Sequence, residues 1–105
     1  MNITLINLEV GKYLAQPLYT ISYTVGEGTD SYRAATCPPG IPDRGQIINA
    51  VIRQDYPEDR MEAVINNYLL DPTDEDAKVA FDEMQEFRKS VKEFADSIIN
   101  EINKD

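Results

Sequence analysis

A chain of 105 residues with 42% apolar residues and a net charge of −9 fits a single soluble domain with a modest core. Its apolar runs are too short to span a bilayer. It has no histidine and one cysteine, Cys37, which excludes an internal disulfide, His-based catalytic dyads and the usual His-containing zinc and di-iron sites.

The charge is unevenly placed. Residues 1–54 carry four basic and four acidic groups, whereas residues 55–105 carry six basic and fifteen acidic ones, so the second half holds the whole net charge. Such a body repels phosphate backbones, and direct nucleic-acid binding is not expected. The stretch Met1–Leu5 lacks a basic region, so no secretory signal is expected, and the lone cysteine fits the cytoplasm.

In chain order, Ile3 to Val10 changes phase midway: Ile3 and Leu5 alternate in one phase, then Ile6, Leu8 and Val10 in the other. A strand with a bulge near Leu5–Ile6 accounts for this, as does a strand buried on both faces, and a short helix is a third reading. Gly11 and Pro17 bracket a connector. Tyr19, Ile21, Tyr23 and Val25 then alternate with Thr20, Ser22 and Thr24, which predicts a strand. Gly26–Asp30 supplies a turn, and Ser31–Cys37 a second strand, giving a β-hairpin. Its register decides whether Tyr32 or Arg33 shares a face with Tyr23.

Cys37–Pro42 contains three prolines and reads as a stiff connector. Asp43 is the expected N-cap of a helix reaching about Gln54, with Ile47, Ile48, Val51 and Ile52 on one face. Pro57 opens a second helix with the stripe Met61, Val64, Ile65, Tyr68 and Leu69. Asp71–Pro72 opens a third, about 72–103, in which Ala77, Ala80, Met84, Phe87, Val91, Phe94 and Ile98 form one seam. At 1.5 Å per residue this helix would be roughly 48 Å long, more than twice the reach of either shorter helix. The expected fold is α+β in one domain, 1–105. A β-rich part (1–40), an antiparallel hairpin of two strands or of three if the first segment joins, packs on a helical part (43–105).

The chemistry-bearing candidates are few. Cys37 reads as a small hydrophobe rather than a reactive thiol. The acids of Asp71–Asp76 match neither frame of a calcium loop and are explained by helix capping. Gly26–Glu27–Gly28 opens no helix and reads as a turn, not a phosphate loop. No catalytic residue, metal ligand or cofactor is assigned, and an enzyme is not expected. Tyr19, Tyr23 and Tyr32 are candidate ligand contacts.

The length mismatch of the last helix predicts an uncovered stripe at Val91, Phe94, Ile98, Ile99 and Ile102, the expected interface of a homodimer. The leading function is therefore a non-catalytic, acidic protein–protein interaction module, self-associating through that helix and meeting a further, unidentified protein partner. The alternatives are an acidic inhibitor mimicking nucleic acid toward a basic protein, and a small-molecule binder using a cleft between sheet and helices.

Overall fold

The computed structural model describes residues 2–26 and 31–104. Three antiparallel strands, β1 (Ile3–Tyr13), β2 (Gln16–Val25) and β3 (Tyr32–Thr36), precede three helices, α1 (Arg44–Asp55), α2 (Glu58–Leu70) and α3 (Glu75–Ile102). This is the expected α+β fold with the sheet in its three-stranded form, ordered β1-β2-β3. Apart from Gly26, the turn expected over Gly26–Asp30 lies outside the described residues.

The phase change in the first strand has a structural counterpart. Leu5 pairs with Tyr23 and Asn7 with Ser22, which leaves Ile6 as the extra residue of a bulge. The bulge keeps Ile3, Leu5 and Leu8 on the inner face, because one added residue restores the alternation. Tyr23 pairs with Arg33 and Thr24 with Tyr32, so Arg33 shares the inner face with Tyr23. Tyr32 lies on the outer face, where its hydroxyl donates to Ser22 Oγ at 3.1 Å.

One connector takes a different form from the one its composition suggests. Gly11–Pro17 is not a loop: β1 and β2 run on to pair Tyr13 with Gln16, leaving only Leu14 and Ala15 as the turn. Leu14 has φ +56°, a left-handed conformation that costs a non-glycine residue about 1–2 kcal/mol. No Gly or Asn marks the position, so sequence pattern gives no signal of a turn there.

The helices cover the inner face only. Asp43 caps α1 with a full capping box: its carboxylate accepts from Gln46 N–H at 2.8 Å, and Gln46 Oε1 accepts from Asp43 N–H at 3.0 Å. At the other end of α1, the Val51 carbonyl accepts from the Tyr23 hydroxyl at 3.3 Å and the Asp55 carbonyl from Arg60 Nη1 at 2.7 Å. The Asp55 contact satisfies a carbonyl that a helix end leaves without a partner, whereas the Val51 contact is a second bond to a carbonyl inside the helix. Arg33 Nε meets Asp55 Oδ1 at 2.7 Å and ties the third strand to the same helix end. Pro57 is the N-cap of α2 rather than its first residue.

The long helix starts three residues later than the Asp71–Pro72 device suggests. Asp71 instead forms a turn with Thr73, its Oδ1 accepting from the Thr73 hydroxyl at 2.6 Å and the Thr73 N–H at 3.1 Å. Asp74 is the cap, accepting from Ala77 N–H at 3.1 Å. At 28 residues the helix is still about 42 Å long.

Two different layers cover its seam. Over the first half lies α2, antiparallel, with the Tyr68 and Phe81 rings stacked at 4.2 Å. The second half lies beneath the sheet and beside α1: Tyr23 packs on Phe94 with centroids 5.5 Å apart, and Tyr56 on Phe87 at 5.5 Å. Met84, Phe87, Val91, Phe94, Ala95 and Ile98 are all buried, with Ile21, Ala35, Ile47 and Val51 opposite them.

The expectation of an uncovered stripe from Val91 to Ile102 is therefore corrected. Val91, Phe94 and Ile98 belong to the monomer core, and Ile99 and Ile102 are partly buried against it. Helices alone are too short to cover that half of α3, and the sheet covers it instead. Phe94→Ala should consequently lower the unfolding free energy by about 3–5 kcal/mol in urea titrations, while Leu69→Ala on the exposed side of α2 stays within about 0.5 kcal/mol. A Phe94→Ala effect as small as that of Leu69→Ala would contradict this packing.

Candidate interaction surfaces

The three tyrosines expected to contact a ligand do not converge. Tyr23 is wholly buried, and burial pushes its phenol far above the usual range; the Asp55 charge adds to this and Arg33 opposes it. It stays a neutral donor to Val51 and anchors α1 to the sheet. Tyr19 is half-buried on the inner face, and Tyr32 is exposed on the outer face. Core side chains fill the space between the middle of the sheet and the helices, and the cavity that opens beside α1 at the end of β3 has none of the three tyrosines in its lining.

Cys37 is buried, and burial alone raises its thiol above the usual value. Its backbone N–H donates to the Tyr19 carbonyl at 3.0 Å, extending the β2–β3 pairing past Thr36. Gly40 N–H donates to the Pro17 carbonyl at 2.8 Å, so the proline-rich segment flanks β2 almost to its start. Among the described residues, no group of three or more Asp, Glu or Cys side chains is placed to hold a metal ion. Nor, among the described residues, is any helix long and apolar enough to cross a membrane.

What the fold leaves open lies elsewhere. Among the described residues, β1 is an edge strand with no neighbour on its outer side. Along it and at its end, Ile6, Val10, Tyr13 and Leu14 are exposed, Leu14 to 88%. Ile41, 70% exposed, follows the segment that flanks β2. Val10 is in phase with Leu8 on the inner face, yet it is 54% exposed. A second exposed apolar group, Leu69, Leu70 and Val79, sits where α2 turns into α3. Only the first group adjoins unpaired backbone.

Two cavities flank α1. One, about 410 Å³, lies between α1 and the end of β3, with Thr36, Gln46 and Asn49 among its walls. The other, about 270 Å³, lies where all three helices meet and is lined by Ile52, Tyr56, Met61, Arg53, Arg88 and Lys92, among others. Sequence spacing gives no sign of this second site, because its cations come from two helices more than thirty residues apart in the chain.

No family model, no curated protein and no solved structure matches this chain, so every functional reading below rests on its own residues.

For Cys37, burial and a raised thiol give the same expectation. Iodoacetamide at about pH 8 should alkylate the native protein slower than the urea-unfolded chain by roughly two orders of magnitude. Comparable rates would show that Cys37 is accessible in the native state.

Proposed function

We propose that this chain is a non-catalytic interaction module that pairs with a second copy of itself through the open edge of β1. The observation that supports this most directly is the edge itself. From Asn7 to Tyr13 β1 is regular in its pairing with β2, it has no strand on its outer side, and Val10 and Tyr13 are exposed along it. An unpaired row of N–H and C=O groups beside apolar side chains is a template for strand addition.

A two-fold axis suits this strand. Antiparallel pairing centred on Val10 sets Val10 against its own copy, Glu9 against Gly11 and Leu8 against Lys12. Each residue then meets one on the same face, and no like charges stand opposite each other. The result is a continuous six-stranded sheet, with Leu14 of each copy reaching past the axis. Leu14 supports the reading in a second way. A large apolar residue, 88% exposed and held at φ +56°, breaks a local rule without any return within the monomer.

The seat of association thus differs from the α3 stripe, whose Val91, Phe94 and Ile98 are already covered. The nucleic-acid-mimic reading has less support, since Lys78, Arg88, Lys89 and Lys92 interrupt the carboxylates of α3. The acid-rich halves of two copies repel each other, so the dimer strengthens as salt screens them.

Light scattering across a concentration series tests the proposal. The protein should have dimer mass at high micromolar concentration, with tighter association at higher ionic strength. Val10→Lys, which opposes two ammonium groups at the axis, should give a monomer with unchanged helix content. A monomer throughout, or dimer mass retained by Val10→Lys, would overturn it.

A further inference from the structure

The geometry points to a binding site for a small organic monoanion with an apolar body, in the cavity where α1, α2 and α3 meet. This site shares no residue with the β1 edge and stands independently of the pairing proposed above.

Its floor and wall are apolar. Ile52 and Tyr56 are buried and Met61 is half-buried, in a cavity of about 270 Å³. That volume lies near the lower end of small-molecule sites and suits a single ring with a short acidic arm rather than a peptide segment.

The rest of the lining is cationic. Arg53 of α1 and Arg88 and Lys92 of α3 line the same space, three of the chain's ten basic residues, with Glu58 as the acid at the cavity. The local balance is three positive charges against one negative, in a protein whose net charge is −9. None of the three cations makes an ion pair among the described residues, whereas Arg33, Arg44 and Lys104 do so with Asp55, Asp96 and Glu101. In a chain with 19 acidic residues, three cations gathered without carboxylate partners mark a local excess of donors.

Arg88 sharpens this. Its Nε is buried and has no acceptor among the described residues, and its Nη1 reaches only Gln85 Oε1, at 3.5 Å. A guanidinium with so few acceptors is costly, and its terminal nitrogens, rather than the enclosed Nε, are the donors it offers to a carboxylate. Arg60 is not part of the lining: its guanidinium lies over the Tyr56 ring, 4.7 Å from the centroid, and donates to the Asp55 carbonyl. A carboxylate held by Arg88 and Lys92 would leave its apolar body against Ile52, Tyr56 and Met61. A polyanion such as nucleic acid does not fit the same logic, because beyond this pocket the helical half repels it.

Phenylacetate and its neutral isostere phenylacetamide test the site on the full chain, followed by amide NMR. Phenylacetate should give saturable shifts concentrated on Ile52, Arg53, Tyr56, Met61 and Arg88, and phenylacetamide should bind about tenfold more weakly or worse. Arg88→Gln combined with Lys92→Gln should weaken phenylacetate by about tenfold or more without lowering the thermal midpoint. Should that double variant unfold, Lys92→Gln alone, at an exposed position, carries the comparison and should weaken binding severalfold. Non-saturating or scattered shifts, equal binding of the amide, or unchanged affinity in the variant that folds would each overturn the proposal.

Discussion

The structure depends on how one apolar seam, running the length of α3, is kept from water. α1 and α2, at 12 and 13 residues, span about 18–20 Å each, less than half of α3. The seam is therefore shared between unlike layers. Tyr68 and its neighbours on α2 cover the start, while the sheet and α1 cover Phe87 to Ile98. Tyr23 is the joint between these layers: its ring rests on Phe94, and its hydroxyl reaches the Val51 carbonyl of α1. The division explains why α2 has no buried residue of its own. It rests on the protruding half of α3, with nothing on its far side.

Periodicity made most of the fold legible. The alternation from Tyr19 to Val25 is enough to place a strand, while the phase change at Leu5–Ile6 allows a bulged strand as one of several forms, because one residue more or less reverses the face of every later side chain. Asp43 before Ile47 and Ile48 marked a helix start for a similarly local reason. What escaped was non-local or broke local rules. The turn at Leu14–Ala15 has none of the residues that favour a left-handed φ. The start of α3 was misplaced because both Asp71 and Asp74 have capping chemistry, and Asp71 is engaged by Thr73. The fate of Val91, Phe94 and Ile98 depended on which face of the sheet turns toward α3, and amphipathic spacing shows that a face is buried without showing against what.

The candidate surfaces follow from the same arrangement. A one-sided sheet of three strands must have two edges. The segment through Gly40 only prolongs the short β3 along β2, and of the two edges that of β1, at 11 residues, is the longer. Likewise, three helices of unequal length leave a gap at their junction, and the cations lining it sit in a half of the chain that is otherwise acidic. The first surface offers unpaired backbone with apolar side chains; the second offers a confined positive charge over an apolar floor. A surface for a second copy and a pocket for a small anion are compatible on one domain, since they share no residue.

The central claim is that the second half of α3 belongs to the monomer core, sealed by the sheet. Native-state amide hydrogen exchange, followed residue by residue at two protein concentrations, tests it most directly. Amides from Val91 to Ile98 should exchange as slowly as those of Ile21 and Tyr23 at both concentrations, with any concentration dependence shared by the two groups. Fast exchange in that segment, or protection that appears only at the higher concentration, would contradict the account and return the α3 seam to an interface between chains.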